Sequence, residues 1–277
     1  MAEPTQSRLE QPHDDVVVHT WDNPQAHWIA VLVHGYGEHL GRYPHVARWL
    51  VEHGATVTGP DHVGHGRSAG ERVLIVDFEP VVDAVHAVVR DARSRYAGLP
   101  VVLIGHSMGG MLGARYAQRH GDEFAALVLS GPVLGSWEPT ELAELSEIPD
   151  DPLDVSTLSR DDQVGAEYSA DPLVWHGPFK RPTLRAFASM LGTINEGPDL
   201  GALPTLWAHG ANDQLVPIEP TRVGIERIAG SELTAIEYDG ARHEIFNETN
   251  SADVLADVTD FVDAVLTAGT GAGAVQR

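Results

Sequence analysis

Cysteine is absent from the 277 residues, which excludes disulfides, a thiol nucleophile and any zinc site built from sulfur. A metal would have to be held by histidines and carboxylates. Lysine is almost as scarce. Lys180 is the only one, and 18 basic residues face 40 acidic ones for a net charge of −22. Such a field repels phosphate backbones and anionic membrane surfaces, so nucleic acid is not an expected partner and a neutral substrate suits the chain better than an anionic one. The same acidity serves solubility. No apolar run reaches the length of a membrane span. Residues Met1 to Asp15 are polar, contain Pro4 and Pro12, and lack a basic start followed by an apolar run. They read as a disordered segment and not a secretory signal, which leaves a cytoplasmic location with at most peripheral membrane contact as the expectation.

An apolar fraction of 43% is enough to build the core of one large domain. Short aliphatic runs recur at Val16 to Val18, Ile29 to Val33, Thr56 to Thr58, Val101 to Ile104, Ala126 to Leu129, Thr205 to Ala208 and Leu233 to Ile236. Between several of them lie stretches with helical spacing, such as Val46, Leu50 and Val51, or Val81, Val82, Val85 and Val89. Phe261, Val262 and Val265 belong to a last helix with Asp253 and Asp257 near its start. Alternation of this kind predicts an α/β fold with a mostly parallel central sheet flanked by helices. The interval from Gly131 to Pro204 is too long for one crossover helix and predicts a structured insertion, a small helical cap after the sixth core strand. The expected division is a core over 16–133 and 197–267, a cap over 134–196, and a disordered tail over 268–277. Two apolar stripes stand in the cap, one of Trp137, Leu142, Leu145 and Ile148, the other of Leu184, Phe187, Leu191 and Ile194. Each could line an apolar pocket or simply pack on the core.

The pattern Gly-x-Ser-x-Gly occurs twice, around Ser107 and around Ser68. Ser107 follows the buried run Val101 to Ile104 and precedes a helical stretch with Met111, Leu112 and Tyr116, stopped by Gly121. Strand, sharp turn and helix hold a serine hydroxyl exposed at the top of a sheet, with the helix N-terminus beneath it to favour developing negative charge. Ser68 follows the loop Asp61 to Gly66 with no buried strand before it, and reads as a structural loop residue.

A serine hydroxyl needs a base, and imidazole suits neutral pH. Among fifteen histidines, His243 has the strongest setting, in the loop between the last strand and the last helix. His34, His62, His65, His106 and His209 also border predicted strands and read as loop-stabilising neighbours. His62 and His65 have a metal-ligand spacing but no accompanying carboxylate cluster, so no metal and no cofactor is expected. Asp213, just past the strand Thr205 to Ala208, is the candidate to orient the imidazole. The competing carboxylate is Asp239, which sits in a turn with Gly240. The order Ser107, Asp213, His243 is that of serine hydrolases on this fold. Two donors for an oxyanion are assigned to the backbone N–H groups of Met108, next after the nucleophile, and of Tyr36, in the loop after Val33.

Together these segments resemble the monoacylglycerol lipases of the α/β-hydrolase superfamily over about Val16 to Leu266. The residues that carry the resemblance are His34 to His39 with Arg42 and Tyr43, Asp61 to Ser68 with Gly70 to Arg72, Gly105 to Gly110, and Leu158 to Arg160 with Asp171 to Leu173. It implies an α/β-hydrolase fold, a neutral lipid ester as partner, and cleavage of monoacylglycerol through an acyl-serine. It also implies that Glu38 and Arg42 lie near the glycerol hydroxyls; the plainer alternative for them is a surface ion pair. There are two departures. The segment from Gly131 to Ser159 is shorter than the cap of the animal enzymes, and Phe246 stands where those have a histidine. A smaller cap could admit diacylglycerol, or simply different acyl lengths. Another lipid esterase, a lysophospholipase or thioesterase, and a non-catalytic binder on the same fold are the competing readings.

Overall fold

The structure, a computed structural model, describes residues 3–10 and 15–272. Strands β1 (Thr5–Leu9), β2 (Val16–Trp21), β3 (Trp28–Val33), β4 (Ala55–Asp61), β5 (Val101–His106), β6 (Ala126–Ser130), β7 (Thr205–Gly210) and β8 (Leu233–Tyr238) form one sheet. Their order is β1-β2-β4-β3-β5-β6-β7-β8. Neighbours run parallel from β4 to β8, while β2 pairs antiparallel with β4 and β1 with β2.

The helices are α1 (Pro44–Glu52), α2 (Glu79–Arg95), α3 (Met108–His120), α4 (Asp162–Ala170), α5 (Arg181–Glu196), α6 (Ile218–Ile228) and α7 (Ser251–Ala272). Strand periodicity decides which helix covers which face. Ile29, Val31, Val33 and Leu103 point to one side, where α2, α3, α5 and α6 pack. Trp28, Ala30, Leu32, Val102 and Ile104 point to the other, against Val46 and Leu50 of α1 and Val254, Val258 and Val262 of α7. With both faces covered, the central strands can be aliphatic throughout, as the sequence runs suggested. Leu103 is fully buried, so Leu103→Ala should destabilise by about 2–5 kcal/mol.

The expected α/β-hydrolase architecture is present, with three differences in detail. Residues 5–9, taken as disordered, form β1, whose side chains are mostly exposed and which is held by its backbone ladder to β2. Such a strand has no apolar alternation to reveal it. Residues 268–272 of the predicted tail continue α7, while residues 1–2, 11–14 and 273–277 lie outside the described residues. In the insertion between β6 and β7, the stretch Glu138–Glu144 is 3-10 helix. Trp137 is buried there, but Leu145 is 46% exposed, so the first stripe does not form one packed face. The second stripe is buried along α5, and Phe187, Leu191 and Ile194 join the main core. A separate small cluster of Leu158, Tyr168 and Val174 packs around α4. Among the described residues, no helix is long and apolar enough to cross a membrane.

Candidate active site

Ser107 occupies the bend between β5 and α3 with φ 55° and ψ −118°, a left-handed conformation that a non-glycine residue holds only when its surroundings force it. The neighbouring glycines let the bend close. A Cβ on Gly105 would lie 2.3 Å from the carbonyl oxygen of Gly109, and one on Gly109 would lie 2.0 Å from that of Val33. Backbone bonds fix the serine itself, whose N–H donates to Ser130 O at 2.9 Å and whose carbonyl accepts from Val133 N at 3.1 Å.

His243 Nε2 lies 3.0 Å from Ser107 Oγ, and His243 Nδ1 lies 2.7 Å from Asp213 Oδ2. A carboxylate only accepts, so Nδ1 carries the proton and Nε2 is left free to take one from the hydroxyl. Asp213 is anchored in turn. Its Oδ1 accepts from the N–H groups of Leu215 and Val216, each at 2.9 Å, and its Oδ2 lies 3.3 Å from His209 Nε2. Burial pushes the Asp213 carboxyl up, but His243 and the hydrogen bonds from His209 and His243 outweigh it and hold the pKa below the usual carboxylate range. For His243, burial works downward and the Asp213 charge upward; the net shift is above the ordinary imidazole value. The exposed competitor Asp239 lies in the turn after β8.

The loop after β3 reaches the same place. A Cβ on Gly35 would lie 3.2 Å from Ser107 Cβ. Gly35 N–H donates to Glu38 Oε1 at 2.7 Å and Gly37 O accepts from Trp175 N at 2.8 Å, so Tyr36 is held from both sides. Met108 opens α3, and an amide in a first helical turn has no intrahelical acceptor. Tyr36 and Met108 both line a cavity of about 230 Å³ together with Ser107 and His243. Its walls include Val133, Trp137, Leu158, Phe179, Phe187 and Leu215, with Glu38 and Glu244 at one side. Only Phe187 of the second apolar stripe reaches it.

Arg42 does not line this cavity. It faces a separate groove with His45 and Phe246, and its guanidinium forms an ion pair with Glu38 and Glu244 that is buried, unlike the surface pair weighed as the plainer alternative. Glu244 is the site residue that sequence reasoning missed. A carboxylate beside a candidate base, followed by Ile245 and Phe246, has no pattern of its own; its distant arginine gives it a role.

The rings of His34, His65, His106 and His209 contact nearby backbone as loop supports, whereas neither ring nitrogen of buried His62 has a hydrogen-bond partner among the described residues. His34 Nε2 accepts from His62 N at 3.0 Å, His106 Nδ1 is 3.1 Å from Ser130 O, and His209 Nε2 is 2.9 Å from Val216 O. Burial holds the pKa of His62 down at about 3 and of His65 at about 4. Among the described residues, the group with metal-ligand spacing is His86, His120 and Glu123, at the far end of α3. Thirteen residues of helix place it about 20 Å from Ser107.

The family described as "serine aminopeptidase, S33" matches the chain over residues 24–250. A monoacylglycerol lipase of Mycolicibacterium smegmatis is 36% identical over 84% of this chain and 87% of its own length. The human monoglyceride lipase is 32% identical over 78% and 75%. In three dimensions, the monoacylglycerol lipase of Paleococcus ferrophilus superposes with a TM-score of 0.78 at 26% identity, covering 89% of this chain and 97% of that one. The chain therefore belongs to the monoacylglycerol lipase family of α/β-hydrolases, within the wider family described as serine aminopeptidase, S33.

Proposed function

We propose that this serine hydrolase cleaves monoacylglycerol to glycerol and free fatty acid, with Ser107 as nucleophile, His243 as general base and acid, and Asp213 as the group that orients the imidazole. The observation that carries the reading is the continuous hydrogen-bond chain Asp213, His243, Ser107 ending at an apolar cavity. His243 Nε2 takes the hydroxyl proton as Ser107 Oγ attacks the ester carbonyl. The amides of Tyr36 and Met108 receive the developing oxyanion, with the start of α3 behind them. His243 then returns the proton to the leaving glycerol oxygen as the C–O bond breaks, and water repeats the sequence on the acyl-serine to release the acid.

Two features favour a neutral substrate. The net charge is −22, and Glu38 and Glu244 at the cavity share a single arginine. An anionic head group there meets an uncompensated carboxylate. Contact with lipid is then peripheral, and diacylglycerol is a further substrate where its second chain clears the cap. The test is a turnover comparison of monoolein, diolein, lysophosphatidylcholine and an acyl thioester. Monoolein should be preferred; preference for the phospholipid or thioester would replace this reading with that of another lipid esterase, and turnover of none, with no fluorophosphonate labelling of Ser107, would leave a non-catalytic binder.

A further inference from the structure

The loops after β3 and β8 meet beside Ser107 without any backbone ladder between them. Strands β5, β6 and β7 separate their parent strands, four strand spacings or about 19 Å. Two side chains bridge the gap: the His45 ring, whose Nε2 lies 3.0 Å from Phe246 O, and the Arg42 guanidinium, which engages carboxylates from both loops. Arg42 Nη1 donates to Glu244 Oε1 and Nη2 to Glu244 Oε2, at 2.7 and 2.8 Å, across 202 residues of chain. The same Nη1 donates to Glu38 Oε2 at 2.7 Å. Glu38 extends the connection into the loop, because its Oε1 accepts from Gly35 N–H and from the Tyr43 hydroxyl, at 2.7 and 2.6 Å. Glu244 adjoins His243 in the chain. The side chains of Arg42, Glu38 and Glu244 are no more than 10% exposed.

We propose that Arg42 and Glu244 are positioning residues for acyl transfer: their forked ion pair, continued through Glu38, fixes the spacing between the loop carrying the Tyr36 amide and the loop carrying His243. This rests on the roles given above to those two groups. A planar guanidinium engaged at both ends of a carboxylate sets direction as well as distance, which a lysine ammonium cannot do. Little bonding capacity is left for a glycerol hydroxyl, since Glu244 Oε2 also accepts from Asn247 Nδ2 at 2.6 Å. Burial opposes the Arg42 charge, but Glu244 and Glu38 outweigh it and keep the guanidinium firmly protonated.

The experiment uses Arg42→Lys and Glu244→Gln in the full chain, with active sites counted by fluorophosphonate titration so that unfolded protein does not enter the rates. Monobutyrin and p-nitrophenyl butyrate are compared, because the second ester has no glycerol. Displacing an oxyanion donor relative to the base should lower kcat about 10- to 100-fold on both esters while KM stays within about 3-fold. Affinity for a trifluoromethyl ketone, which adds to the serine as a transition-state mimic, should fall with kcat/KM. Arg42→Ala should be worse than Arg42→Lys. Unchanged kcat in the folded variants would overturn the proposal, as would a raised KM confined to monobutyrin, which would make the arginine a glycerol contact. Wild-type protein that hydrolyses esters without labelling at Ser107 would instead remove the reading on which the clamp depends.

Discussion

Ser107 and Ser68 each sit at the centre of Gly-x-Ser-x-Gly, and they are 9% and 4% exposed, so burial does not separate them. Their hydroxyls do. Ser107 Oγ has an imidazole nitrogen at 3.0 Å and opens on a cavity. Ser68 Oγ accepts from Val17 N at 2.8 Å and donates to Asp61 O at 2.6 Å, stitching β2 to the end of β4. Backbone conformation follows the same division, because of these two serines only Ser107 has positive φ. A hydroxyl with both roles filled by backbone groups is structural. One that faces a base from a forced bend is available for chemistry.

Alanine at each position tests the contrast most severely. Ser107→Ala should lower turnover on any ester by a factor on the order of 10⁴ or more and leave the melting temperature near that of the parent. Equal losses of turnover from Ser107→Ala and Ser68→Ala would erase the distinction. Asp213→Asn comes next: the amide favours the wrong tautomer of His243, and kcat should drop on the order of 10³- to 10⁴-fold. Asp239→Asn, in its exposed turn, should change kcat less than about 2-fold. Stopped assays on p-nitrophenyl butyrate measure all of these, and a comparable effect of Asp239→Asn would reassign the acid.

Ser68→Ala reverses the pattern. It leaves Val17 N–H and Asp61 C=O without their hydroxyl partner, at a penalty of about 1–3 kcal/mol, and the melting temperature should fall by about 2–4 °C for each kcal/mol lost. The rate per labelled active site should be unaltered. Calorimetry that found full stability would show the hydroxyl to be dispensable.

The contrast between the serines was legible in the sequence because it is local. A buried run before Ser107 and a helical stripe after it specify the bend, whereas Ser68 has neither. Asp213 and His243 were legible for a similar reason, since each lies just past a strand whose aliphatic character announces it. What did not show is set by long-range pairing or by backbone alone. β1 has exposed side chains and a ladder to β2. The Arg42–Glu244 fork joins positions 202 residues apart, and helical spacing in Leu184, Leu191 and Ile194 could not tell a core face from a pocket wall, which here leaves only Phe187 at the cavity.

The finest test concerns the base. His106 and His243 are buried side by side, with ring centroids 4.8 Å apart. Burial and the neighbouring His243 hold His106 down at about 4, whereas the Asp213 charge, helped by Glu244 and Glu38, lifts His243 above the ordinary value in spite of its burial. In the proposed mechanism only neutral His243 accepts the serine proton, so activity should be lost as pH falls, and the raised pKa places that loss at higher pH than an unperturbed imidazole near 6.5. A profile of kcat/KM from pH 5 to 9 should therefore bend above 6.5. In Asp213→Asn the residual activity should bend at lower pH, because burial then acts with less opposition. A wild-type inflection at or below 6.5 would mean that Asp213 does not stabilise the imidazolium, and the hydrogen bond at 2.7 Å would then serve orientation alone.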